Sequence, residues 1–311
     1  MATSGSIDYA VSRDDIITEA LEQCGVLAEG QSPTAAQLTS CARTLNMMVK
    51  EFQADAENLF AVERLNVFLK KDQSKYTLSS SSSDYFAEDT VETQLSADAS
   101  SGATSISVDS ITGISASDVI GVEVANNVVH WTTVNGAPSG PTVTLATGLS
   151  AAAVTDGYVY TFTSRANRPM KILQAYVRDK ANNDIPLTRV AREDYINLTK
   201  KDADGKINTI YYDPQVSGGL LYVWPETSNE TDRIVIWVQR TLEDFDAAGD
   251  NPDFPQEWYW ALSINLANRL KFKYALPART QDRIKIEAME ALEVAASFDV
   301  EDYMKIEPDF S

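Results

Sequence analysis

Histidine is almost missing from this chain: 311 residues hold one, His130. A zinc hydrolase site and a Ser-His-Asp triad both need imidazoles placed beside other groups, so neither has support. Cysteine is nearly as scarce. Cys24 and Cys41 are the whole supply, too few for a disulfide scaffold, and Cys24 has no base near it in sequence to make it a nucleophile. No stretch approaches the roughly 18 to 20 apolar residues a membrane span requires. Residues 1–9 are small and polar and lack the basic and apolar regions of a signal peptide. No glycine-rich phosphate loop is present.

Positive charge is also short. The net charge is −19, and residues 85–164 contain eight acids and no Lys or Arg. Gripping nucleic acid through its phosphates takes Lys and Arg, so ordinary DNA or RNA binding is disfavoured. Acidity serves solubility, and it also suits a protein past which DNA must slide without sticking. Neither a cofactor nor a metal site is expected. Asp202-Ala203-Asp204-Gly205 has a faint look of a calcium loop, but the later Glu is missing and a polar turn is the better reading. The acid pairs (Glu243, Asp244 and Asp246; Asp250 and Asp253) read as a solvated loop; nothing singles out two carboxylates flanking a cleft.

What the chain does have is helix at its ends and strand between. Ser12-Arg13-Asp14-Asp15 opens a first helix with a cap and acids in the first turn. A second is expected from Ser32-Pro33, striped by Leu38, Leu45, Met48, Phe52 and Ala56. A short linking loop with Gly30 packs the two antiparallel. Strands begin at Val62, and the serines Ser79 to Ser83 read as a linker. Composition shifts over 91–163, which is rich in Thr, Ser, Val and Gly. Five short strand patterns there, separated by turn residues, predict a small barrel or sandwich inserted into a host. Strand patterns resume from Lys171 to Val238. Tyr211, Tyr212, Tyr222, Trp224 and Trp237 read as sheet core and cross-strand pairs.

The line Leu242 to Tyr274 is a strand exit, an acidic loop and a helix start. Proline suits the first turn of a helix, so Pro255 is expected to open this one. Trp258, Leu262, Leu266 and Leu270 stripe its apolar face. Trp258, Tyr259 and Trp260 cannot all point the same way, so this trio is a candidate partner or ring interface. A last helix runs from Pro277 to about Phe298, and the tail after it carries Tyr303, Met304, Ile306 and Phe310. The fold class is therefore α+β: a bundle of N- and C-terminal helices, β segments between, and a small all-β insert. The expected divisions are 1–84 with 165–311 as host, 85–164 as insert and 299–311 as tail.

Several motifs occur in a familiar order. They are Ser12-Arg13-Asp14-Asp15-Ile16 leading to Leu45-Asn46-Met47-Met48 and Glu51-Phe52, then Tyr76-Thr77-Leu78; Arg168 to Leu173; Tyr211-Tyr212-Asp213-Pro214 with Leu221 to Pro225; and Asn251 to Trp258. Together they make the chain resemble the head-to-tail adaptor (tail accessory factor) family of short-tailed bacteriophages, over nearly everything outside 91–163. The resemblance implies a structural, non-enzymatic virion protein at the head–tail junction, assembled in the host cytoplasm. It implies a homo-oligomeric ring, commonly of twelve copies, between the portal protein and the tail nozzle protein. Tail fibre or spike is a further partner, genomic DNA is passing cargo, and no membrane is involved. It also implies that Tyr303, Met304, Ile306 and Phe310 dock on the portal. The competing readings are a tail-associated cell-wall or glycan hydrolase and a glycan-binding tail component that presents Trp131, Tyr158 and Tyr160 from the insert.

Overall fold

A computed structural model of the chain describes residues 5–55 and 59–297. The elements in chain order are α1 (Arg13–Gln23), α2 (Ala35–Asp55), β1 (Val62–Phe68), β2 (Lys75–Leu78), β3 (Phe86–Ala87), β4 (Val91–Gln94), β5 (Ser105–Ser107), β6 (Val119–Val124), β7 (Val128–Thr133), β8 (Thr142–Thr144), β9 (Tyr158–Phe162), β10 (Lys171–Arg178), β11 (Asp184–Pro186), β12 (Thr188–Arg189), α3 (Arg192–Ile196), β13 (Thr209–Gln215), β14 (Gly218–Trp224), β15 (Arg233–Gln239), α4 (Tyr259–Leu270) and α5 (Ala278–Ser297). The class is α+β, with helices at both ends and strands between. Two compact units result. One takes the described residues of 1–61 and 242–311; the other is Val62–Thr241, and the 85–164 segment lies inside it.

In the helical unit, α1 starts on a reciprocal capping box. Ser12 Oγ accepts from the Asp15 backbone N–H at 3.2 Å, and the Asp15 carboxylate accepts from the Ser12 N–H at 2.9 Å. The cap of α2 differs from expectation. Thr34, not Ser32, holds it, accepting from the Gln37 N–H while Gln37 Oε1 accepts from the Thr34 N–H at 2.8 Å. A box on Ser32 would place Ala35 third, and alanine has no acceptor to return. Pro255 likewise does not open α4. It stays extended at ψ 155°, and a single 3-10 turn, Gln256–Trp258, intervenes. The stripes nevertheless turn inward, with Leu38, Phe52 and Leu292 half-buried at their edges; Ala56 and Phe298 lie outside the described residues. Ile16, Leu21, Leu45, Met48, Leu262, Leu266, Leu270, Ile284 and Ala288 share one core drawn from both ends of the chain. The hydrophobic effect on that shared core joins the sequence-distant helices.

The β unit holds two larger sheets, ordered β11-β10-β15-β1-β3 and β12-β13-β14-β2. Leu65, Val67, Ile234 and Ile236 from the first meet Leu78, Ile210, Leu221 and Val223 from the second in one core. β1 and β15 pair along their full length, from Val62 opposite Gln239 to Phe68 opposite Arg233. The β13–β14 hairpin turns on two residues, because Gln215 lies opposite Gly218. Gly219 lies beside it against the ring of Tyr212, where a Cβ would overlap the phenol that donates to the Pro169 carbonyl. The serine run is no free linker. Ser82 N–H donates to the Ser79 carbonyl at 2.8 Å and Ser82 Oγ accepts from the Asp84 N–H, closing a tight turn.

Within 85–164 all five expected strands form and β4 adds a sixth, while the short β3 at its start pairs with β1 in the first sheet. The six make a four-stranded sheet, β4-β9-β6-β7, and a β5–β8 ribbon around a core of Leu95, Ile106, Val122, Val143, Leu145 and Val159. The segment leaves and rejoins its host at one place, where Arg165 Nε donates to the Asp84 carbonyl at 2.7 Å. A second small core fastens it: Phe68 of β1 lies 4.8 Å from Trp131 and 5.1 Å from Tyr160, centroid to centroid. Arg233 of β15 adds an ion pair to Glu92 and a bond to Tyr160 Oη.

Candidate functional site

The residues with the most obvious chemistry are occupied structurally. His130 is half-buried on β7, its Nε2 3.4 Å from Thr147 Oγ1. Cys24 and Cys41 are buried free thiols, and Cys24 Sγ donates to the Ala267 carbonyl. Burial, with Cys41 nearby, pushes the Cys24 thiol up to about 11. The acidic loop after β15 turns two of its carboxylates onto its own backbone, and Asp244 pairs with Lys50 of α2 at 2.8 Å. Asp250 accepts from the Asp246 and Ala247 N–H groups, and Asp253 accepts from Glu243 N–H. Asn46 of α2 clamps the same loop by bonding both the N–H and the carbonyl of Phe245. Among the described residues no group of three or more His, Cys, Asp or Glu is placed to hold a metal ion. Tyr211 and Tyr222 face each other across β13–β14 with rings 5.6 Å apart, and Tyr195 of α3 covers them at 5.3 Å from Tyr222. These rings form the cross-strand pairing expected of them, and Trp224 Nε1 donates to the Lys200 carbonyl.

The Trp258-Tyr259-Trp260 trio separates as helical geometry demands. Trp258 corrects the expectation of an interface residue. It is 4% exposed, packed among Phe52, Phe60 and Phe254 at 5.5 to 6.4 Å, and has no surface to offer a partner. Tyr259 is half-buried with its ring 6.2 Å from Tyr9. Trp260 is 48% exposed.

Around these two lies a groove of about 360 Å³, lined by Tyr9, Val11, Asp15, Ile16, Glu19, Tyr259, Trp260 and Ser263. It is built where α1 packs on the start of α4, and Gln256 holds the segment before α1 by donating to the Ile7 carbonyl at 3.0 Å. Ser12 holds the Asp15 carboxyl below its ordinary value by donating to it, so the groove carries an anion. Aromatic walls with two carboxylates suit a cationic or aromatic side chain.

The far end of the same unit has the opposite character. Phe272, just past α4, is 73% exposed beside Met47, Arg269 and Lys271. Arg269 pairs with Glu51 at 2.9 Å, and the Lys271 ammonium lies 5.2 Å from the centre of the Phe272 ring. Tyr9, Asp15, Glu19 and Phe272 were not among the residues expected from the sequence. Phe272 did leave a signal, since it falls off the Trp258–Leu262–Leu266–Leu270 stripe. The proposed docking residues Tyr303, Met304, Ile306 and Phe310 lie outside the described residues.

No family model matches the chain, and no curated protein matches it. Among solved structures it is similar to the Gp54 tailspike of Acinetobacter baumannii bacteriophage AP22, solved in complex with A. baumannii capsular saccharide. The likeness has 13% identity and a TM-score of 0.22, over 25% of this chain and 15% of that one. Similarity at that level carries no conclusion about fold or function.

Proposed function

We propose that the protein is a structural, ring-forming component of a phage particle, joining the portal vertex to the tail nozzle and letting DNA pass through its channel. The observation that carries this reading is where the exposed apolar side chains sit. Nine of the thirteen large hydrophobic side chains exposed among the described residues belong to the helical unit, including Ile7, Tyr9, Met47, Trp260, Phe272 and Met289, although that unit is the smaller of the two. Apolar surface gathered on one unit is what an assembly interface needs. The ordered motifs of the resemblance and the acidic balance agree, since a channel of like charge does not hold DNA phosphates. Twelve copies, portal and nozzle as neighbours, and a decorative or nozzle-contacting role for 85–164 follow from the same reading.

Mass photometry of the purified protein, alone and mixed with purified portal rings, tests it. The expected result is a discrete, ring-sized addition to the portal. A monomer indifferent to portal at micromolar concentration would overturn the reading.

A further inference from the structure

The helical unit carries two complementary surfaces on one rigid helix. The groove at the start of α4 has aromatic walls and the carboxylates of Asp15 and Glu19. The corner at its end offers an exposed phenyl ring, Phe272, with the Lys271 ammonium over it and Arg269 in the same lining; Lys273 follows it in the chain and donates to Ser40 Oγ, and against these three cations stands one carboxylate, Glu51, paired with Arg269. They share no lining residue. The twelve residues of α4 hold them about 18 Å apart, so one copy cannot satisfy both within itself.

We infer that the Phe272 corner of one copy seats in the Tyr9–Trp260 groove of the next copy, with Lys273 and Arg269 facing Glu19 and Asp15. The inference rests on the ring-forming reading and names the contact that would make the ring. Charge complementarity selects the occupant. In a chain of net charge −19, an anionic aromatic groove meets mostly like charge on its own surface, whereas this corner, with three cations to one carboxylate around an aromatic ring, carries the opposite sign. Because groove and corner differ, the contact is heterologous. Each copy gives one side and receives the other, so the pairing repeats head to tail and closes when the rotation per copy divides the circle. A groove that met another groove would instead bring four carboxylates together and stop at a dimer.

The test uses the full chain and portal-templated assembly followed by mass photometry. Glu19→Lys and Lys273→Glu, each reversing one charge, are expected to weaken assembly by roughly tenfold or more in midpoint concentration. The two combined in one chain should recover most of that loss, because the pair is restored with signs exchanged. Circular dichroism melts of each variant confirm that folding is intact. As a second arm, Trp260→Ala and Phe272→Ala chains should each stay unassembled, yet form a heterodimer on mixing, since one intact groove then meets one intact corner. Wild-type assembly by all four single variants would overturn this contact and leave the ring reading standing. So would loss in Glu19→Lys and Lys273→Glu without recovery in the double variant. Failure of the wild-type chain itself to assemble would overturn both.

Discussion

Trp258 and Trp260 stand two positions apart at the start of α4, and replacing each reads out a different property. Trp258→Ala opens a cavity among Phe52, Phe60 and Phe254 and is expected to cost about 3 to 5 kcal/mol in a urea titration. Trp260→Ala removes a half-exposed ring at the groove edge and should cost far less, no more than about 1 kcal/mol; losses equal to those of Trp258→Ala would contradict the difference in burial. The thiols offer a second check. With Cys24 pushed up to about 11 and both sulfurs buried, an aromatic disulfide reagent at pH 8 should leave them unlabelled until denaturant is added. Asp84 gives a pH dependence. Burial alone would raise its pKa, but hydrogen bonds from Gln73, the Thr77 N–H and Lys70 outweigh that and hold it below its ordinary 3.8. A depressed carboxylate stabilises the fold fully above its unfolded pKa and loses that contribution as pH falls through the lower folded value. Acid unfolding of Asp84→Asn should therefore be flatter than wild type below about pH 4.

At the scale of elements, short-range chemistry decides where helices begin. Ser12→Ala and Thr34→Ala should each lower stability by about 1 kcal/mol, whereas Ser32→Ala should be nearly silent. A clear loss at Ser32 would return the α2 cap to the place the sequence suggested. Helix stripes, strand patterns and the composition break at 91–163 were legible because each is a local periodicity or a local change of residue type. The α2 cap sits at Thr34 although Ser32-Pro33 is a strong start signal, because the Gln37 side chain returns the bond to Thr34 and Ala35 cannot return one to Ser32. The serine run misled for a related reason: its composition says flexible, while its hydroxyls close a turn through hydrogen bonds. The groove was half legible. The trio announced that one aromatic must face outward. Tyr9 and Glu19 join it through packing of α1 on α4, which no local pattern encodes.

At the scale of the molecule, the helical unit is made from both chain ends and the β unit from one continuous span, Val62–Thr241. That span has its own cores, so residues 62–241 made alone should give a strand-rich circular dichroism spectrum and a cooperative melt; a molten baseline would show that the helices are needed. Deleting 85–164 and joining its neighbours is not expected to be neutral, because Phe68 would lose Trp131, Tyr160 and Phe162 as cover.

The full-length pairing of β1 with β15 has a mechanical side. Antiparallel neighbours that begin at Val62 and finish at Gln239 place both connections to the helices at the same end of one ladder. Tension drawn between those connections loads the terminal hydrogen bonds first and peels the two strands apart in sequence, instead of shearing all of them at once. Force applied through the helices would therefore find the β unit compliant at that seam.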